Sequence, residues 1–259
     1  MSFIEDLYQL KGKTAVLTGG TGVLCQAMAE GLGRAGCKIV LLDINAANCD
    51  ENIRHLTDAG IDVTVLECNV LNRAEIENCA KEISKSHGEP DVLINAAGVN
   101  SSTPFFDITE NEYDKIMGVN LKGTFLTCQV FGERIIKAEK SASIINVSSA
   151  SSGPPLSRVF SYSISKAGIN NLTQFLAREW ALKNIRVNAL APGFFPAEQN
   201  KKILTKERVA DIMRHTPMNR FGDPKELVGA VLWLASEKAS SFVTGAVVRV
   251  DGGFSAMTI

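Results

Sequence analysis

No apolar run in this chain approaches the roughly 18 residues needed to cross a bilayer, so a helical membrane span is excluded. An excess of one charge sign is missing too. With 27 Lys and Arg against 28 Asp and Glu, the net charge is -1. No nucleic acid or membrane surface is expected to be held by bulk electrostatics. Only three histidines occur, far apart, which argues against a dedicated metal site. Six cysteines (Cys25, Cys37, Cys49, Cys68, Cys79, Cys128) contain no CxxC pair and are expected to be buried thiols in a reducing cytosol. Met1-Ser-Phe-Ile-Glu-Asp6 lacks the basic-then-apolar order of a signal peptide, so a cytoplasmic location is expected. Internal repeats, low-complexity tracts and linkers are absent as well.

What the chain does have is alternation. Short β-rich runs at Thr14–Thr18, Lys38–Asp43, Asp62–Cys68, Val92–Asn95, Ser143–Ser148, Ile185–Leu190 and Val247–Val250 predict strands. Most are continuously apolar, as expected of strands buried on both faces of a parallel sheet. Helical patterns fall between them near 22–36, 45–59, 72–86, 109–138, 160–183 and 223–236. This order predicts an α/β fold: a single Rossmann-type, doubly wound domain over 1–259, with a seven-stranded parallel sheet and helices on both faces. The least regular stretch, about 192–217, is expected to be a substrate-binding insertion.

After the first strand comes Thr18-Gly-Gly-Thr-Gly-Val-Leu-Cys25, leading into a helix. Gly19 and Gly22 permit a tight turn and close approach of backbone to a pyrophosphate, which the helix N-terminus attracts. The second strand ends at Asp43, where a carboxylate can accept from a ribose diol and repel a 2′-phosphate. NAD is therefore expected over NADP; the alternative reading of Asp43 is a cap for a helix beginning near Asn45. Further on, Tyr162 and Lys166 stand one helical turn apart, either as a phenol beside an ammonium or as a pair on a solvated face.

With Asn95-Ala-Ala-Gly98, Val119-Asn-Leu121, Ile145-Asn-Val-Ser-Ser149, Pro192-Gly193, Thr244-Gly245 and Asp251-Gly-Gly253, these features resemble the short-chain dehydrogenase/reductase family from about Lys11 to Gly253. The resemblance implies a catalytic set of Asn120, Ser149, Tyr162 and Lys166. Tyr162 would be the acid–base and Ser149 a donor to the reacting oxygen, with Ser148 the competing serine. Lys166 would hold the nicotinamide ribose and depress the tyrosine pKa, and Asn120 would hold a water linking Lys166 to solvent. Each polar residue also has a purely structural alternative. Cofactor contacts are implied for Gly19, Thr21, Gly22, Val23, Leu24 and Asp43, for Asn69 and Val70, and for Asn95, Ala96, Ala97 and Gly98. Tyr162, Lys166, Pro192, Gly193 and Phe195 complete that set. Departures from the family pattern are Cys25 for a glycine, Ala96 for an asparagine, Asn69 for an aspartate and Ala197 for a threonine.

Pro192-Gly-Phe-Phe-Pro-Ala-Glu-Gln-Asn200, His215–Gly222 and the ending Val250–Ala256 are similar to the sugar-acid branch of D-mannonate oxidoreductases, or fructuronate reductases. That likeness implies a sugar-acid substrate, with Asn100, Ser149, Arg158, Gln199 and Asn200 as candidate contacts. Glu198 would add an acceptor, and Lys201 and Lys202 possible partners for a carboxylate. Gluconate 5-dehydrogenase and 3-ketoacyl reductase are the enzymatic alternatives. A nucleotide-binding regulator is the non-enzymatic one, which the intact Ser149, Tyr162 and Lys166 disfavour. The family resemblance also implies a homotetramer.

Overall fold

The computed structural model describes residues 2–46, 50–154, 156–196 and 205–257, the side chains of 50–52 excepted. Strands β1 (Thr14–Thr18), β2 (Lys38–Asp43), β3 (Val63–Glu67), β4 (Val92–Asn95), β5 (Ala142–Val147), β6 (Ile185–Pro192) and β7 (Val247–Val250) form one parallel sheet. Their spatial order is β3-β2-β1-β4-β5-β6-β7. The helices are α1 (Phe3–Tyr8), α2 (Val23–Arg34), α3 (Asp50–Asp58), α4 (Arg73–His87), α5 (Glu110–Met117), α6 (Gly123–Lys137), α7 (Phe160–Trp180), α8 (Lys206–Arg214) and α9 (Val228–Ala235).

Side chains alternate across a strand, so each continuous apolar run feeds two cores. Ala15, Leu17, Ile39, Leu41 and Ile94 pack with Met28 and Leu32 of α2 and Val231 and Leu234 of α9. Val16, Val40, Leu42, Leu93 and Ile144 face the other way, onto Ile76 and Ile83 of α4, Phe131 of α6 and Leu176 of α7. Full burial of one such side chain contributes about 1.5–3 kcal/mol. On this second face, Thr18, Asn95 and Asn146 share one register row across β1, β4 and β5. Asn95 Nδ2 donates to Asn146 Oδ1 at 2.8 Å, and Asn146 Nδ2 donates to Thr173 Oγ1 of α7 at 2.9 Å. Successive connections diverge between β1 and β4, which leaves a crevice beyond the carboxyl ends of those strands.

Several elements differ from the sequence expectations. The single helix expected over 109–138 is broken by a π-helical turn, Gly118–Lys122. The expected helix at 45–59 is observed as Asp50–Asp58; residues 47–49 lie outside the described residues. The irregular stretch 192–217 contains α8, whose Thr205 cap accepts from the Arg208 amide and whose buried residue is Ile212. Helix α8 carries a periodic apolar face, Val209, Ile212 and Met213, but over only nine residues. Helix α1 is set by a Ser2–Glu5 capping box rather than by buried side chains.

Candidate active site

The carboxyl end of β5 delivers Ser148 and Ser149, and the first two turns of α7 deliver Tyr162 and Lys166 beside them. The two serines point differently. Ser148 Oγ donates to the Lys166 carbonyl at 3.3 Å, tying the helix backbone to the strand end. Ser149 Oγ lies near enough to the Tyr162 phenol to favour its ionised form, and it accepts from Ser151 N and Oγ at 3.2 and 3.1 Å. The geometry thus pairs Ser149, and not Ser148, with the phenol. Lys166 is buried; its Nζ donates to the Val147 carbonyl at 2.7 Å and lies 5.5 Å from the Tyr162 ring centroid.

Burial lowers the Lys166 pKa to about 8. Burial also pushes the Tyr162 phenol above its usual range, against the opposing pull of the Ser149 hydroxyl. This is opposite to the depression expected from a neighbouring ammonium. The cause is placement: the ammonium sits over the ring and bonds the Val147 carbonyl, so desolvation of the phenol dominates.

Asn120 occupies the π turn and is fully buried. Its Oδ1 accepts from Val99 N at 2.8 Å, while Nδ2 donates to Val99 O and to Ser165 Oγ, each at 3.0 Å. Both amide protons are therefore committed to protein partners, and the carboxamide works as a clamp on the loop after β4. Ser165, absent from the sequence-derived site, links this clamp to α7 by donating to the Tyr162 carbonyl at 2.7 Å. Its position within the Tyr162–Lys166 stretch was the available signal. A Cβ placed on Gly98 would stand 3.4 Å from Asn120 Oδ1 and 3.6 Å from Lys166 Nζ, so the loop passes directly against the cluster.

The glycine turn lies across the crevice. Gly19 has φ +77°, and a Cβ there would come within 2.9 Å of the Ala97 backbone, so turn and β4 loop touch. Thr18 Oγ1 joins them by accepting from Ala96 N and Ala97 N at 3.1 and 3.2 Å. The first turn of α2, with Val23 and Leu24, has Gly22 as its N-cap and no side-chain cap. Asp43 is buried; its Oδ2 accepts from Thr21 N and Oγ1 at 2.8 and 2.9 Å, and Oδ1 from Asn45 N at 3.0 Å. The carboxylate therefore ties the glycine turn to β2 and also caps the turn at residues 44 and 45, which leads into a 3-10 residue at 46.

Of the remaining candidates, Asn69 accepts from Leu71 N at 2.9 Å, and its own N–H donates to Glu75 at 2.8 Å. Val70 is buried against Gly123. Pro192 ends β6, Gly193 N donates to Val250 O at 2.9 Å, and the Phe195 ring lies over Gly222. Cys25 is accommodated as a buried thiol 3.8 Å from the Thr18 carbonyl. Asn100 follows the clamped Val99 and is exposed. Arg158 is exposed on the β5–α7 loop with φ +65°. Ala197, Glu198, Gln199, Asn200, Lys201 and Lys202 lie outside the described residues. Among the described residues, no helix is long and apolar enough to cross a membrane and no group of acidic, His or Cys side chains is arranged to hold a metal ion.

Comparison with known proteins brings several likenesses. The family described as enoyl-(acyl carrier protein) reductase matches residues 22–255. UxuB, an uncharacterized oxidoreductase of Bacillus subtilis (strain 168), is 41% identical, over 95% of this chain and 96% of its own. The 5-keto-D-gluconate 5-reductase of Escherichia coli (strain K12) is 35% identical over 96% of this chain and 98% of its own. A crystal structure of a candidate D-mannonate oxidoreductase from Haemophilus influenzae, with bound NAD, superposes with a TM-score of 0.91 at 35% identity, covering 96% of this chain and 97% of that one. A gluconate 5-dehydrogenase from Burkholderia cenocepacia, in complex with NADP and tartrate, gives 0.92 at 30% identity over 98% of this chain and 100% of that one.

Proposed function

Because the chain belongs to the short-chain dehydrogenase/reductase family, we propose that it interconverts a secondary alcohol and a ketone of a sugar acid, D-mannonate and D-fructuronate, using NAD. The observation that carries this reading is the convergence of Ser149, Tyr162 and Lys166 beside the crevice between β1 and β4. A dinucleotide fits that crevice. The tight Gly19 turn leads directly into the N-terminus of α2, which no side chain caps and whose dipole suits a pyrophosphate. Asp43 keeps further lone pairs for a ribose diol and presents negative charge to a 2′-phosphate, which supports NAD. When bound, the nicotinamide accepts or supplies the hydride.

The protein handles the proton. Ser149 donates to the substrate oxygen, and Tyr162 gives that oxygen a proton during reduction or removes one during oxidation. Lys166 holds positive charge beside the phenol and is the donor for the nicotinamide ribose. Asn120 keeps the loop through Gly98 and Val99 against these groups. Exposed Phe125 on α6 and Phe160, Ile164 and Phe175 on α7 support assembly through these helices, as a homotetramer.

The test is turnover with NAD and NADP over mannonate, gluconate, altronate, short polyols and 3-hydroxyacyl thioesters. Mannonate with NAD is the expected pair, and activity on thioesters alone overturns the sugar-acid assignment. Oxidation at C5 of gluconate is the second reading, favoured by the likeness to the 5-keto-D-gluconate 5-reductase. Tyr162→Phe is expected to abolish turnover while NADH binding, read by fluorescence, persists.

A further inference from the structure

The loop from β4 to α5 is held at two points, and the second holder is a carboxylate diverted from its usual place. Thr109-Glu-Asn-Glu112 has the spacing of a capping box, in which the glutamate reaches back to the amide of the cap residue. At Ser2/Glu5 and Asp223/Glu226 that reciprocal bond is made. At Thr109 only half of it forms: Thr109 Oγ1 accepts from Glu112 N at 3.2 Å, but the Glu112 carboxylate turns away. Its Oε1 accepts from Ser101 Oγ at 2.6 Å and its Oε2 from Thr103 Oγ1 at 2.9 Å. Such charge-assisted bonds are stronger than neutral ones.

The result is a loop latched on both sides of one residue. Val99 is clamped through its N–H and C=O by Asn120, and Ser101 and Thr103 are held by Glu112. Asn100 lies between the latches, two residues from Gly98, whose Cβ position is 3.6 Å from Lys166 Nζ. Its Oδ1 accepts from Ser101 N at 2.8 Å, which sets the plane of the carboxamide and leaves Nδ2 open to solvent on an exposed residue.

The geometry points to Glu112 as a positioning residue for substrate: through Ser101 and Thr103 it fixes the loop so that Asn100 presents its amide donors to a hydroxyl or carboxylate of a polyhydroxy acid. This rests on the sugar-acid reading above. Glu112 touches neither the proton-transfer groups nor the glycine turn, so its loss should act on substrate binding alone.

The experiment compares Glu112→Ala, the double variant Ser101→Ala/Thr103→Val, and the triple combination. Glu112→Ala is expected to raise the substrate KM about tenfold, with kcat and the NADH dissociation constant within about twofold of the parent. Adding Glu112→Ala to the double variant should change KM no further, because the latch is already open. Glu112→Gln, which can still meet both hydroxyls, should recover most of the KM. Hydrogen exchange of the 99–104 backbone, measured without substrate, should quicken in Glu112→Ala and in the double variant. Unchanged exchange overturns the latch whatever the substrate is. Quickened exchange with an unchanged KM on the substrate selected by the panel overturns the positioning role. Failure of every sugar acid in the panel removes the functional reading, while the exchange result still decides whether the latch exists.

Discussion

Replacing Asn120 with alanine tests how much of the site rests on a single buried carboxamide. The change deletes the bond from Val99 N, the bond to Val99 O and the bond to Ser165 Oγ. At about 1 kcal/mol net for each bond, the loss is about 3 kcal/mol. Val99 is only partly buried, so water can reach its freed groups and keeps the cost from growing much further. For a chain of 259 residues this corresponds to a fall in Tm of roughly 6–12 °C. Thermal unfolding by circular dichroism measures it, and hydrogen exchange at Val99 reports the local release. Asn120→Asp provides the control. It keeps an acceptor for the Val99 amide but turns a second oxygen toward the Val99 carbonyl, so at neutral pH it should be no more stable than the alanine variant. A Tm drop under about 2 °C for alanine, with Val99 still protected from exchange, would refute the clamp.

Other outcomes follow from the same geometry. Lys166, with its pKa lowered to about 8, carries its charge at neutral pH and loses it as pH rises past that value. NADH affinity should therefore fall by up to about tenfold per pH unit above about 8, and Lys166→Arg should flatten this dependence in a fluorescence titration; a flat wild-type profile removes Lys166 from the binding site. Asp43→Ala removes the acceptor of the Thr21 amide and hydroxyl, so NAD affinity should drop and the NADP-to-NAD ratio of kcat/KM should rise at least tenfold. An unchanged ratio rejects the specificity argument. Gly19→Ala combines a φ of +77° with a Cβ 2.9 Å from the Ala97 backbone, and should cost about 2 kcal/mol or more in urea unfolding while weakening dinucleotide binding.

Much of this arrangement was legible in the sequence because burial on both sheet faces writes itself as continuous apolar runs. The strands at Thr14–Thr18, Lys38–Asp43 and Val92–Asn95 were readable to the residue on that ground, and the partly buried Val247–Val250 from its β-branched residues. The interruption at Gly118–Lys122 was not, since a π turn shifts the helical phase without altering which residue types line the core. Lys166 was legible as a partner of Tyr162, but the direction of the phenol's shift was not. That direction depends on where the ammonium points, and Val147 holds it. The double engagement of Asp43 was hidden for a similar reason: a carboxylate at a strand end has several lone pairs, and spacing alone does not say which donors meet them. Glu112 carried a visible signal in its Thr-x-x-Glu spacing, yet the carboxylate leaves the cap for Ser101 and Thr103, hydroxyls that only the folded loop brings within reach.

The polar row of Thr18, Asn95 and Asn146 has a consequence for how the sheet measures its own alignment. Parallel strands made almost wholly of Val, Ile and Leu slide past one another with little penalty, since one aliphatic contact replaces another. A shift of β4 against β5 would set Asn95 beside an aliphatic neighbour and strand both buried carboxamides without each other. The row therefore serves as a zero mark for the ladder. It brings the ends of β1, β4 and β5 to one height, and Thr173 extends the same mark to the helix that bears Tyr162 and Lys166. Side chains proposed to transfer a proton thereby inherit their alignment from amides lying below them, outside the proposed chemistry.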